Sequence, residues 1–249
     1  MKKGIIVASF GTSYEETRKK TIEKIEDKIK EEYKDDYVLG AFTSRMVINK
    51  LKEKDNLHIL NEVEAIEDMK GKGIEDIYIQ PTHIIEGHEY EKLTDLGVKV
   101  GKPLLYSDLD YKTIVEDLDL GKLEKDQAIV FMGHGSDHIA DKSYDKLQDR
   151  YNEIGKDKVF LATVEGSRTL EDIMKKLEEK DIKRVKLMPF MFVAGDHATN
   201  DMASNDEDSW KTILESNGYE VEVVLKGLGE YKVIQNLYLK HLQDVMEEK

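Results

Sequence analysis

The sequence predicts an α/β protein of two Rossmann-like lobes with parallel sheets, related by a pseudo-twofold axis. Three observations carry this. Short apolar runs of strand length alternate with helical patterning along most of the chain, the order of elements restarts near the middle, and three segments of the first half match three of the second. Strands that alternate with helices form parallel sheets covered on both faces.

The first run, GIIVAS over residues 4–9, is apolar enough to be a buried strand. Ser13 and Glu16 have the spacing of a capping box opening a helix, on which Ile22, Ile25 and Ile29 form one apolar stripe. A second strand is expected over 37–42, helix from about Arg45 to Met69, and a third strand over 76–80 ending at Pro81. Residues 95–125 show no clear period. The order then restarts with a strand over 128–132, a helix from about Lys142, a strand over 159–164, a helix from about Leu170 and a strand over 184–188 ending at Pro189. A helix near Trp210, a strand over 220–225 and a closing helix from about Tyr231 complete the chain.

The halves agree in detail. ASFGTS (8–13) aligns with MGHGSD (132–137), and FTSRMV (42–47) with EGSRTL (165–170), which equates Arg45 with Arg168. IYIQPTHIIEGHE (77–89) aligns with VKLMPFMFVAGDH (185–197), sharing the proline and the glycine six residues on. The expected lobes are residues 1–125 and 126–249, with the closing helix free to pack on the first lobe. Ligands of open parallel sheets bind beyond the carboxyl ends of the strands. All three matched segments lie there, so the site is expected between the lobes.

Composition narrows the chemistry. The 249 residues are 39% hydrophobic and 36% charged, as in a soluble globular protein. There is no cysteine, so any metal is held by imidazole and carboxylate. The apolar run at the N-terminus breaks before signal-peptide length and no stretch approaches a membrane span, which points to a cytoplasmic protein without a membrane partner. A formal charge of −14 opposes binding to nucleic acid. No GxxxxGK[ST] loop is present, so no nucleotide is expected.

The strongest local signal is FMGHGSDH (131–138), where His134 follows an apolar strand between two glycines that permit a sharp turn and close approach of a ligand. His138 is read as a loop or cap residue. PFMFVAGDHATN (189–200) delivers His197 beside Asp196, and Glu165 ends the intervening strand. His134, Glu165 and His197 thus form a candidate metal set suited to Co²⁺, Ni²⁺, Fe²⁺ or Zn²⁺, against the plainer reading of capping and surface groups. The first lobe has Phe10 and Glu89 at the positions matched to the two histidines, so only one lobe binds metal this way. Its PTHIIEGHEY segment (81–90), with His83, Glu86, His88 and Glu89, offers either a second metal site or a facing wall. His58 and His241 are read as structural. Ser9, Thr12 and Ser13 precede a helix start that favours anions, and Arg45 and Arg168 are candidate partners for carboxylates.

In this order, GIIVASFGTS, FTSRMV, IQPTHIIEGHEY, GHGSDH, VEG and PFMFVAGDHATNDM resemble the ATP-independent sirohydrochlorin cobaltochelatases of anaerobic cobalamin synthesis, over nearly the whole chain. The resemblance implies the class II chelatase fold, shared with ferrochelatases, and metal binding by His134 and His197, with Glu165 at the position of the family's intervening glutamate. The implied reaction inserts Co²⁺ into sirohydrochlorin; the donor set itself leaves Fe²⁺ or Ni²⁺, a porphyrin ring, or a non-catalytic tetrapyrrole or metal carrier open. Candidate contacts to the ring are Ser9, Phe10, Thr12, Ser13, Arg45, His83, Glu89 and Arg168. The substrate's many carboxylates sit awkwardly with an acidic protein and require local positive groups. Homo-oligomerisation is left open.

Overall fold

The computed structural model describes residues 2–248. The chain forms two compact units, one made of residues up to Asp110 together with those from Gly229 onward, the other of Tyr111–Leu228. Each holds a four-stranded parallel sheet. In the first unit β1 (Gly4–Ser9), β2 (Tyr37–Phe42), β3 (Ile77–Pro81) and β4 (Lys99–Val100) lie in the order β2-β1-β3-β4. In the second, β5 (Gln127–Gly133), β6 (Val159–Thr163), β7 (Arg184–Pro189) and β8 (Glu220–Val223) repeat it as β6-β5-β7-β8. β1 and β5 have strands on both sides and are buried throughout.

The helices of the first unit are α1 (Glu15–Lys20), α2 (Ile22–Glu32), α3 (Arg45–Asp55), α4 (Glu62–Gly71) and α5 (His88–Thr94). Ile22, Ile25 and Ile29 are buried on α2, as their spacing predicts. The expected Ser13–Glu16 box does not form. Tyr14 occupies the cap position, and its N–H is taken instead by the Thr12 hydroxyl at 3.2 Å. The helix expected over 45–69 is broken: Asn56 adopts a left-handed conformation (φ 51°) and ends α3, and Asn61 restarts the chain as the cap of α4 in a reciprocal box with Glu64.

α6 (Asp108–Asp117) lies in the stretch 95–125, where no element is expected from the sequence. It carries the chain from one unit to the other, so the boundary falls at 110/111 rather than the expected 125/126. The physical reason is packing within the second unit: Lys146 Nζ lies 4.4 Å over the Tyr111 ring, and Lys156 Nζ donates to the Val115 carbonyl at 2.5 Å. The second unit continues with α7 (Lys142–Glu153), α8 (Leu170–Glu179) and α9 (Trp210–Ser216). α10 (Lys232–Glu247) returns to the first unit, where Tyr238 donates its hydroxyl to the carbonyl of Thr82 at 2.9 Å. Among the described residues no helix is long and apolar enough to cross a membrane.

Candidate metal centre

The centre is built on β5. Its last residue, Gly133, has no room for a side chain larger than hydrogen without pressing on Tyr144 and Thr163, at 3.2 and 3.3 Å from a built Cβ. His134 follows, and two further parallel hydrogen bonds carry the ladder past the strand: Val164 N–H donates to Gly133 O at 3.0 Å and Glu165 N–H to His134 O at 2.8 Å. Backbone pairing therefore puts the Glu165 and His134 main chains side by side. The chain turns at Gly135 with φ +80°, where a Cβ would stand 2.3 Å from Gly166 N. Two glycines from different loops meet there because neither carries a side chain.

Asp141 joins the same two loops. Its buried carboxylate accepts the Ser136 N–H at 3.1 Å on one oxygen, and the Ser167 N–H and hydroxyl at 3.2 Å each on the other. The sequence offered no sign of this residue's role beyond its acidity. Tyr144, fully buried beneath, is hydrogen-bonded to the Gly135 backbone, and burial raises its phenol above the ordinary range. His138 caps a short 3₁₀ turn, its Nδ1 accepting the Ala140 N–H at 3.1 Å, in keeping with its reading as a cap.

His197 comes from the connection after β7, the other neighbour of β5. It precedes a single π-helical turn, Ala198–Met202, and its ring meets that of His134 at 4.8 Å between centroids and 88° between planes. Such turns are frequent at functional sites. Each imidazole has Nδ1 against an acceptor, Gly135 O at 3.0 Å for His134 and Asp201 Oδ2 at 2.5 Å for His197. Carbonyl and carboxylate oxygens only accept, so in the neutral rings Nδ1 carries the proton and Nε2 keeps its lone pair. Glu165 Oε2 lies 3.9 Å from His134 Nδ1, and the side chains of His134, Glu165 and His197 are 47%, 61% and 35% exposed. The structure thus brings the two imidazoles together with Glu165 beside the first, while the three donors do not all stand within 4.8 Å of one another.

The arginines are placed differently from expectation. Arg168 does not occupy the place of Arg45: Arg45 is the first residue of α3 behind its cap Ser44, whereas Arg168 precedes the cap Thr169. The ladders show the offset, since Ser44 N–H donates to Phe10 O as Glu165 N–H does to His134 O. The extra residues of the second loop let Arg168 fold back on its own unit, donating to Leu161 O at 2.8 Å and to Asp145 at 2.7 Å. Its fork is filled internally. Arg45 makes a two-pronged pair with Glu62 at 2.8 and 2.7 Å but keeps half its side chain exposed.

The remaining first-unit candidates divide in the same way. Ser9 is buried and its hydroxyl accepts that of Thr82 at 2.9 Å; Thr12 is buried and spent on Tyr14; and the first turn of α1 carries Glu15 and Glu16. The anion-receiving reading of Ser9, Thr12 and Ser13 is narrowed, since the Ser9 and Thr12 hydroxyls are engaged with Thr82 and Tyr14. Phe10 and Met46 stand 46% and 73% exposed beyond β1 and β2. Glu89 is paired with Lys92. Both ring nitrogens of His83 are closed off from solvent without a hydrogen-bond partner, and burial pushes the imidazole down to about 4, against the opposing pull of Glu89 and Glu62.

The chain is similar to known proteins along nearly its whole length. Residues 3–247 match the cobalt chelatase (CbiK) family. The chain is 35% identical to a sirohydrochlorin cobaltochelatase of Salmonella typhimurium over 99% of its own length and 97% of that protein's. It is 34% identical to the sirohydrochlorin cobaltochelatase CbiKC of Nitratidesulfovibrio vulgaris, over 97% of this chain and 89% of the other. Among solved structures it is similar in fold to SirB from Bacillus subtilis with Fe³⁺, at a TM-score of 0.70 and 13% identity, covering 99% of this chain and 96% of that one. DR2241 from Deinococcus radiodurans, a multi-domain protein with structural similarity to chelatases, gives 0.58 at 12% identity over 99% of this chain and 56% of that one. Matched from end to end at the level of both sequence and fold, the chain belongs to the cobalt chelatase (CbiK) family.

Proposed function

We propose that this chain inserts Co²⁺ into sirohydrochlorin without ATP, with His134, His197 and Glu165 presenting the metal. The observation that carries the reading is the right-angled pair of imidazoles, each with Nδ1 engaged and Nε2 left for a cation. Imidazole and carboxylate suit Co²⁺, and equally Fe²⁺ and Ni²⁺, so the donor set does not by itself select the metal.

Metallation exchanges M²⁺ and a ring bearing two pyrrole N–H groups for the metal complex and two protons. As the ring nitrogens take the metal, the imidazoles lose it and their freed Nε2 lone pairs can accept pyrrole protons. Glu165, well exposed beside His134, supplies a carboxylate that first neutralises the cation and then accepts a proton. General-base assistance of this kind is worth roughly 10²–10⁴ in rate. In the first unit, Phe10 and Met46 are exposed apolar side chains and Arg45 keeps an exposed edge.

The decisive experiment is anaerobic incubation with sirohydrochlorin and Co²⁺, following the macrocycle's absorbance, alongside His134→Ala and His197→Ala. Acceleration over the protein-free rate that both variants lose supports the reading. Binding of ring and metal with no acceleration by Co²⁺, Fe²⁺ or Ni²⁺ would make the protein a carrier instead.

A further inference from the structure

We infer that Asp201 is a positioning residue for the metal: it fixes the orientation and tautomer of His197 so that Nε2 faces the incoming cation. The inference rests on the reading of His197 as a metal ligand and adds a residue to it. His197 and Asp201 are four residues apart across the π-helical turn, and Asp201 Oδ2 lies 2.5 Å from His197 Nδ1. The next pair in the same register, Ala198 and Met202, is fully buried in the core of the second unit. Those two side chains lock the rotation of the turn about its axis. The N-terminal end is fixed as well, by Thr199, whose N–H and hydroxyl donate to Gly195 O at 3.0 and 2.9 Å. The turn is rigid on its inner face, and the His197–Asp201 pair is what it presents outward.

This contact has a consequence that an ordinary exposed helix pair lacks. A free neutral imidazole exchanges its proton between two nitrogens and rotates about χ2. Here the carboxylate holds the proton on Nδ1 and the ring in one plane, at right angles to His134. A carboxylate behind a metal-binding imidazole also makes its other nitrogen a better donor, and loss of such a partner typically weakens metal affinity about 10–100-fold. His134 Nδ1 bonds a neutral carbonyl, Gly135 O at 3.0 Å, with the Glu165 carboxylate farther off at 3.9 Å. The two ligands are therefore unequal: His197 is the stronger donor and His134 the one more readily released.

The test is direct Co²⁺ binding to the full chain without tetrapyrrole, read by equilibrium dialysis and by the visible absorption of bound Co²⁺. The proteins are wild type, His197→Ala, Asp201→Ala, Asp201→Asn and, as a control for one lost charge in the same loop, Asp206→Asn. Asp201→Ala is expected to weaken Co²⁺ binding about 10–100-fold. Asp201→Asn, which keeps an acceptor oxygen but no charge, is expected to fall between it and wild type. Asp206→Asn should stay within about twofold, because a screened, exposed charge acts weakly. Long-range ¹H–¹⁵N spectra should show His197 protonated on Nδ1 in wild type and as a tautomer mixture in Asp201→Ala, a change that loss of general stability does not produce. If both Asp201 variants bind Co²⁺ as wild type does while His197→Ala does not, the inference is overturned and the ligand reading stands. If His197→Ala binds normally, both fall. Should Asp201→Ala fail to fold, the near-isosteric Asn variant and its spectrum decide between the same outcomes.

Discussion

Asp141 Oδ2 accepts both the backbone N–H and the hydroxyl of Ser167, while Oδ1 holds Ser136, so one carboxylate sets the spacing of the loops bearing His134 and Glu165. Asp141→Ala removes three hydrogen bonds to an ionised acceptor and should destabilise the protein by about 3 kcal/mol. It should also lower the metallation rate by about tenfold through misplaced ligands. Urea denaturation and the absorbance assay measure the two effects. A variant that loses stability but metallates at the wild-type rate would show that the loops keep their spacing without it.

Gly135 and Gly155 both have positive φ, at +80° and +75°, but only Gly135 is crowded, with Gly166 N at 2.3 Å from a built Cβ and nothing within 4 Å at Gly155. Gly155→Ala should cost about 1–2 kcal/mol, the strain of a left-handed alanine. Gly135→Ala adds a collision with backbone and should cost roughly twice that, with loss of Co²⁺ binding that Gly155→Ala does not share. Equal thermal shifts in the two variants would contradict the crowding argument.

His83 predicts a pH dependence with a definite sign. The unfolded chain takes up its proton near 6.5 and the folded chain only near 4, so between these values the unfolded state binds more protons. Stability is full above about 6.5 and should decline on acidification toward 4, by roughly 3 kcal/mol in all. His83→Leu should flatten that slope and, by removing two unpaired buried nitrogens, leave stability at neutral pH equal or improved. The same substitution should raise the KM for the ring if His83 contacts it, a separation of stability from function that denaturation at several pH values plus steady-state kinetics resolves.

His241 Nε2 stands 2.9 Å from Asp110 Oδ1 in the interior of the first unit, and its Nδ1 is 3.1 Å from Lys102 O. Burial alone would raise the Asp110 carboxyl, yet hydrogen bonding to His241, its charge and Ser107 hold it below its usual value. The stability this pairing contributes is present above the ordinary Asp range and is lost as pH falls through the depressed folded value. His241→Leu, which strands a buried carboxylate, should cost about 3–5 kcal/mol, and the double Asp110→Leu/His241→Leu variant less than the single one. A double variant no better than the single would mean that α10 is held by packing instead.

The strand framework could be read from the chain because the inner strands β1, β3, β5 and β7 are apolar segments closed by Ser, Pro, Gly and Pro, and the candidate histidines because glycines flank one and the repeat locates the other. α6 has a sequence signature too: Tyr111, Ile114, Val115 and Leu118 are a buried stripe of helical period, and Ser107 and Asp110 cap each other reciprocally. The matched arginines misled because sequence alignment does not see the register of loops, where a small insertion moves a side chain from a helix's first turn to the far side of its cap. Asp141 and Asp201 could not be found from spacing alone. One acts across a distance of 26 residues, and the other depends on a π-helical turn that has no strong sequence signature.

The assignment of residues from Gly229 onward to the first unit gives the chain an order of assembly. Tyr111–Leu228 is one continuous stretch and has everything its sheet and core require once Leu228 has been made. The first unit begins earlier but lacks α10, with Tyr238 and His241, until the second unit's last residue has been made. Domains fold as units as the ribosome releases them. The unit holding His134, Glu165 and His197 thus has its whole sequence before the unit built around β1 has its own.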